Sequence, residues 1–320
     1  METESRTITA HDPAPEGNAM PEADDSMAPA TFGVVVLTQG TRPTEFARGL
    51  DSLLRQRDVT LDIVVVGNAW EPVGLPDGVT GIHLPENVGI PAGRNAGVSH
   101  VSGEFLFFLD DDAWLLDDDF LANCAAEFRA DPTLGMIQPR ITDPDQPDDA
   151  PPRWIPRLRK GSAYESSNVF SVVEMAVALR RDVFDATLGW PAPFFYAHEG
   201  IELAWRVWDV GSRTVYLGHL RAGHPVIDPK RHADYFTKNA RNRVWLGRRN
   251  LPWPVSWWYV GSWTLVQLVR WRRRPEYLRP WFAGWWQGWR HHPWAKGEPH
   301  RKLSWATVFR MGRAGRWPVI

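Results

Sequence analysis

Residues 1–30 carry Pro, Ala and acids without apolar periodicity; an alternation of strand and helix patterns begins at Thr31. The run TFGVVVLTQ at 31–39 is short and continuously apolar, the pattern of a parallel strand buried on both faces. In 44–56, Phe46, Leu50, Leu53 and Leu54 recur at helical spacing. LDIVVVGNA at 61–69 predicts a second buried strand and GVTGIHLPE at 78–86 a short third. IPAGRNAGVSHV, 90–101, predicts a helix approached through Gly and Pro. GEFLFFLDDDA, 103–113, is a strand running straight into acid, and 118–131 is again helical. Strands are further expected at MIQPRI (136–141), SVVEMAVALRR (171–181) and RTVYLG (213–218), and helices at 199–211 and 235–250. Residues 142–168 form a loop rich in Pro, Asp and Arg. The alternation predicts an α/β fold, a Rossmann-like doubly wound, mostly parallel sheet over 31–250. Residues 1–30 lack the apolar surface to fold and lack a secretory pattern, so a disordered leader is expected. Residues 251–320 form a helical, Trp/Arg-rich extension.

Composition changes this picture in two places. The 320 residues are 43% hydrophobic and 23% charged, ordinary for a globular chain, and the single Cys124 excludes a disulfide framework or thiolate cage. The net charge of −2 conceals a division: 17 Lys+Arg against 34 Asp+Glu in 1–227, and 19 against 4 in 228–320. Thirteen of the 19 tryptophans also fall in 228–320. Either the halves neutralise each other across an internal interface, or the basic end faces something anionic. From Val255 to Val269 runs an apolar stretch broken by Ser, Gly, Thr and Gln, short of the ~20 residues a membrane crossing needs. Trp257, Trp258, Trp263 and Trp271 beside Arg270 and Arg272–Arg274 suit an interfacial helix on anionic lipid, or a helix packed on the body or a partner. No nucleic-acid recognition module is visible, and the oligomeric state is not readable.

The strongest chemical signal is Asp110, Asp111 and Asp112 directly after FLFFL. Ligands gather outside the carboxyl ends of strands in an open parallel sheet, and carboxylates there are costly unless paired. An Asp-x-Asp spacing places the first and third carboxylates to address one hard divalent cation, Mg²⁺ or Mn²⁺; alternatively the acids cap a following helix.

FGVVVLTQ, DIVVVGN, NVGIPAGRNAGV and FLFFLDDDA, in this order and spacing, resemble the successive signatures of family-2 glycosyltransferases with the GT-A fold, in the rhamnosyltransferase-like bacterial branch. The resemblance covers about 31–250. It implies a metal-dependent, inverting transfer of a sugar, with dTDP-rhamnose as a candidate donor, to a glycan or lipid-linked acceptor. Such an enzyme would sit at the cytoplasmic face of the cell membrane in envelope polysaccharide synthesis. It implies nucleotide contacts from Thr38, Gln39 and Asn68, the last standing where the family carries Asp. Asn87, Gly89, Gly93, Arg94 and Asn95 match the loop over nucleotide and sugar, with Arg94 able to compensate phosphate charge. Asp110 and Asp111 would meet the donor, and Asp112 with Asp110 and His224 would hold the cation.

In FFYAHEGIELAWR the resemblance implies a general base below the acceptor site. Where many relatives carry Glu-Asp this chain has Glu199-Gly200, so Glu199 is expected as base with Glu202 in reserve; a first-turn carboxylate is also ordinary dipole compensation. His198 would orient the acceptor or cap the helix, His219 competes with His224, and Arg231 and His232 would serve the diphosphate. Two rivals remain from sequence. A sugar nucleotidyltransferase has a similar sheet but wants a phosphate loop richer in Gly and Arg than TQGTRPTEF. A degenerate member that binds without turnover is kept open by Gly200.

Overall fold

The apolar runs become the centre of one twisted sheet. A computed structural model describes residues 28–143, 154–156, 162–226, 234–315 and 317; the expected leader (all but 28–30), Arg231 and His232 lie outside these. Strand β1 (Ala30–Thr38) pairs in parallel with β2 (Val59–Asn68) and β4 (Phe105–Asp110), and β2 with β3 (Val79–Leu84). Between β1 and β2 lies α1 (Pro43–Leu54), and between β3 and β4 lies α2 (Ile90–Val98). After β4 come the two-residue β5 (Trp114–Leu115), α3 (Phe120–Ala130) and β6 (Leu134–Thr142). Then follow β7 (Ser167–Asn168), β8 (Ala176–Arg180), α4 (Arg181–Thr187), α5 (Glu199–Asp209) and β9 (Arg213–Gly223). The sheet order is β3-β2-β1-β4-β8-β6-β9-β5, with β7 on β9.

Side-chain alternation fills both faces of this sheet, as a doubly wound fold requires. Val34 and Val36 of β1 with Phe105, Phe107 and Leu109 of β4 point into a core closed by Leu50 and Leu53 of α1 and Phe120, Cys124 and Phe128 of α3. Val35, Leu106 and Phe108 point the other way, against Phe184 of α4 and Leu203, Ala204 and Val207 of α5. The longest ladders are parallel. β8 runs antiparallel to both β4 and β6 and so joins the two parallel halves, and the two-residue β5 and β7 are each antiparallel to β9. An apolar run does not reveal strand direction, so the sequence could not show this.

The basic end is built onto the body. Helices α6 (Tyr235–Asn250), α7 (Val255–Trp271), α8 (Pro275–Arg290) and α9 (Trp305–Arg313) share an apolar cluster with Trp205 and Trp208 of α5, through Trp245, Leu246, Tyr259, Val260 and Met311. Backbone approach between α6 and α8 is close because Gly284 and Gly288 carry no side chain where Thr237 and Val244 stand. Of the two sequence readings of α7, packing on the body is met by Ser256, Tyr259 and Val260, while Trp257, Trp258, Leu265 and Val269 remain exposed. Among the described residues no helix is long and apolar enough to cross a membrane.

Candidate functional site

A cleft of about 510 Å³ opens at the carboxyl ends of β1, β2 and β4, and Thr38, Gln39, Asn68, Asn87, Gly89, Asp110, Asp111, Asp112 and His224 all line it. Two backbone features bring the acids to His224. The chain turns sharply after β4, with the Ala113 amide donating to the Asp110 carbonyl at 3.1 Å. Then β5 pairs antiparallel with the end of β9, Trp114 opposite Gly223, which sets His224 beside Asp112. This short pairing was invisible in sequence because two residues carry no periodicity.

His224 Nε2 lies 3.0 Å from Asp112 Oδ1, and Arg42 Nη1 lies 2.7 Å from Asp112 Oδ2. Burial raises the Asp112 carboxyl, but His224 and Arg42 outweigh it and hold the group below the ordinary carboxylate range. Asp110, Asp112 and His224 offer ligand atoms all within 4.8 Å of one another. His224 Nδ1 is buried without a hydrogen-bond partner. Two carboxylates and an imidazole converging on one point are a donor set for a divalent cation.

Several expected contacts are instead spent inside the protein. Asp111 accepts from Thr38 Oγ1 at 2.7 Å and from Arg42 at 2.9 Å; burial nonetheless raises its carboxyl, so it anchors the turn against β1 rather than addressing the cleft's centre. Asn68 is buried, donates to Asn87 Oδ1 at 3.0 Å and accepts from the Val88 amide at 2.9 Å. Asn87 reaches on to Gln39 at 3.3 Å, so these amides hold the loop before α2 in shape. Gly89 starts that helix at φ +84° with its backbone against Phe195, where a side chain would not fit. Gly93 lets α2 close on β1, since a Cβ there would fall 2.5 Å from Leu37. Asn95 uses both ends of its amide on the Trp190 backbone, at 2.8 and 2.9 Å.

Arg94 corrects the sequence expectation most clearly. It is 2% exposed, away from the cleft lining, and donates to Asp110 Oδ1 at 2.6 Å and to the Glu174 carbonyl at 2.9 Å. The charge it compensates is carboxylate, not phosphate. Glu202 is corrected too. Arg249 Nη2 donates to its Oε1 at 2.7 Å and Asn250 Nδ2 to its Oε2 at 2.8 Å, in a buried network on the side of α5 facing α6. Burial raises Glu202, but Arg249 outweighs this and holds it below the usual range, so it is a structural anion. His219 sits at the surface, 3.1 Å from Glu127. His198 is half-buried at the start of α5 with its Nε2 enclosed, and desolvation drives its imidazole well below its ordinary range and keeps it neutral.

Glu199 is 3% exposed with Oε2 lacking a partner, and burial together with the neighbouring Glu174 carboxyl pushes it up to about 8. An acid raised in the folded state binds its proton more tightly there than in the unfolded chain. Stability therefore falls as pH rises from the ordinary glutamate range, about 4.3, through about 8. Glu199→Gln removes that penalty: its melting temperature relative to the unaltered protein should climb between pH 5 and pH 9. A gap that stays flat across that range contradicts the assignment. Sequence reasoning missed Arg42 and Glu174, although an acid inside the apolar run SVVEMAVAL was a signal.

Residues 34–188 match the model of the family described as Glycosyl transferase family 2. The O-antigen biosynthesis protein RfbC of Myxococcus xanthus is 26% identical over 187 residues, 51% of this chain but 14% of that protein. Among solved structures, TarS 1-349 of S. aureus aligns with TM-score 0.58 at 14% identity, covering 81% of this chain and 80% of that one. The mannosyltransferase PcManGT from Pyrobaculum calidifontis, in complex with GDP-Man and Mn²⁺, aligns with TM-score 0.53 at 20% identity, covering 94% and 81%. GalNAc-T7 with UDP, GalNAc and Mn²⁺ aligns with TM-score 0.57 at 16% identity, covering 92% and 56%. At these identities the likeness establishes the fold, GT-A.

Proposed function

We propose, from the premise that this chain carries a domain of glycosyl transferase family 2, that it transfers a sugar from a nucleotide-diphosphate donor to a hydroxyl of a glycan or lipid-linked acceptor, with inversion. The observation that carries this reading is the convergence of Asp110, Asp112 and His224 in the cleft that Thr38, Gln39 and Asn87 also line. These three side chains would hold Mg²⁺ or Mn²⁺, and the imidazole favours Mn²⁺ over the oxygen-seeking Mg²⁺. When bound, the cation would neutralise charge developing on the departing diphosphate. Arg42, one-third exposed at the cleft and already on Asp112, is placed to move toward that charge. The nucleotide would lie across the ends of β1 and β2, its place shaped by the Gln39–Asn87–Asn68 chain. The acceptor hydroxyl would approach from the start of α5, where Glu199 belongs to a buried carboxyl pair able to take its proton.

Support for the donor class comes from neighbours solved with UDP and with GDP-Man, and support for an envelope glycan from the name of the M. xanthus relative. The test is a panel of nucleotide sugars, dTDP-rhamnose included, scored by thermal shift and by transfer with and without Mn²⁺. A donor that stabilises the protein only with Mn²⁺, and is turned over, is expected. Binding without turnover would support the degenerate reading, and release of pyrophosphate from a nucleoside triphosphate would support the nucleotidyltransferase.

The outer face of α7 supports placement on the cytoplasmic face of the membrane. Trp257, Trp258 and Leu265 are 59, 68 and 63% exposed, beside exposed Arg270 and Arg272–Arg274. Sedimentation with anionic vesicles should exceed that with neutral ones and weaken with salt; Trp257→Ser/Trp258→Ser should lower it by about tenfold or more. No binding to anionic vesicles at low salt contradicts the placement.

A further inference from the structure

Resting on the reading of this cleft as a glycosyl-transfer site, we propose that Glu174 is the general base that takes the proton of the acceptor hydroxyl, its carboxylate filling the place that a side chain at residue 200 would occupy. The observation is steric and polar together. A Cβ built on Gly200 would fall 2.7 Å from Glu174 Cδ and 2.8 Å from its Cγ, inside van der Waals contact. Gly200 has no left-handed backbone to explain its identity; it lies in the first turn of α5, where an L side chain is conformationally allowed. The atoms that a side chain there would meet first are those of the Glu174 carboxyl. The Gly200 amide donates to Glu174 Oε1 at 2.6 Å, so the carboxylate is held on the start of α5 by one of its unpaired backbone donors.

The position that the family usually fills with the second acid of a Glu-Asp pair is thus empty on α5 and filled from the segment leading into β8. That segment is part of the site. Met175, the next residue, lines the cleft and its carbonyl accepts from the Asp110 amide at 2.9 Å. Arg94 ties the Glu174 carbonyl to Asp110. Both carboxyls are enclosed, but Glu174 stands one residue from Met175 of the cleft lining, and its Oε1 is held on the Gly200 amide while Glu199 Oε2 has no partner. Burial raises both groups, and two carboxyls this close do not readily ionise together. Glu199, whose Oε2 has no donor facing it, keeps the proton, and Glu174, which accepts from the Gly200 amide, is left as the carboxylate.

In the step, an electron pair of the acceptor oxygen forms the bond to C1 of the sugar. The C1–O bond to the diphosphate breaks, its pair leaving with the nucleoside diphosphate. The hydroxyl proton passes to the Glu174 carboxylate and from there to solvent.

The test uses full-length Glu174→Gln, Glu199→Gln, Glu174→Gly and the double change Glu174→Gly/Gly200→Asp, with donor binding read by thermal shift beside kcat and KM. Glu174→Gln should lose about 10²–10⁴ in kcat with donor binding and donor KM unchanged. Returning a carboxylate to α5 in the double variant should restore kcat at least tenfold over Glu174→Gly, which a purely structural Glu174 would not do. If Glu174→Gln keeps kcat within threefold while Glu199→Gln loses it, Glu199 is the base and this inference falls, with the glycosyl-transfer reading intact. If the double variant is no better than a folded, donor-binding Glu174→Gly, the substitution of one carboxylate for the other is refuted. If the unaltered protein binds no nucleotide sugar, the reading of the cleft itself fails.

Discussion

Asp112→Asn is expected to weaken Mn²⁺-dependent donor binding by about 100-fold or more and to depress transfer at least as far. The change keeps the size of the side chain and alters its charge. Asp112 is 3% exposed and meets both His224 and Arg42. An amide there neither presents two anionic oxygens to a cation nor accepts from both neighbours while satisfying its own donors. The core around Ala113, Trp114 and Leu115 is untouched by the substitution, so near-ultraviolet circular dichroism should match the unaltered protein. By contrast Asp111→Asn, whose partners are Thr38 and Arg42, should cost stability more than cation affinity. Equal loss of cation binding in both variants would mean that the triplet acts as a diffuse acidic patch.

Arg249→Ala should be the most destabilising single change, about 3–5 kcal/mol, which lowers the melting temperature by roughly 10 °C or more. Arg249 is 1% exposed and stands between two carboxylates, Glu202 of α5 and Glu298 after α8. It also donates to the Pro293 carbonyl at 2.6 Å. Removing it leaves Glu202 and Glu298 without their shared cation, and Glu202 with the Asn250 hydrogen bond and the field of the buried Arg206. In the unaltered protein Glu202 is held below its ordinary range, so its contribution is present above about pH 4.3 and is lost as pH falls through the depressed value. The gap between the two proteins should be widest near neutral pH and narrow in acid. A melting temperature within 2 °C at pH 7 would show that this network does not fasten the basic end to the body.

That network also shows where the sequence stopped being readable. The strands VVVL and FLFFL and the acids after them were legible because burial on two faces and a charge at a strand end are local signals. Glu202 was not, because the cation that claims it lies 47 residues away on α6. Arg94 and Asn95 looked like ligand contacts in a glycine-rich turn; only the packing of α2 against β1 shows that both face inward, to Asp110 and to Trp190. His224 was legible as a candidate ligand, but its meeting with Asp112 depends on a two-residue strand that has no period to read. Glu174 had a signal, an acid inside the apolar run SVVEMAVAL, but no local pattern tells that it stands against Gly200 of α5. The opposite charges of the two halves, ambiguous as composition, resolve in part as the Glu202–Arg249 contact, while the exposed arginines after α7 remain for another anion.

The most direct measurement is anomalous diffraction from crystals grown with Mn²⁺ and a nucleoside diphosphate. One manganese peak bonded to Asp110, Asp112 and His224, with the diphosphate on its open side and Arg42 drawn off Asp112 toward the phosphates, is the result expected. A peak elsewhere, or none, with the His224–Asp112–Arg42 contacts unchanged, would contradict it.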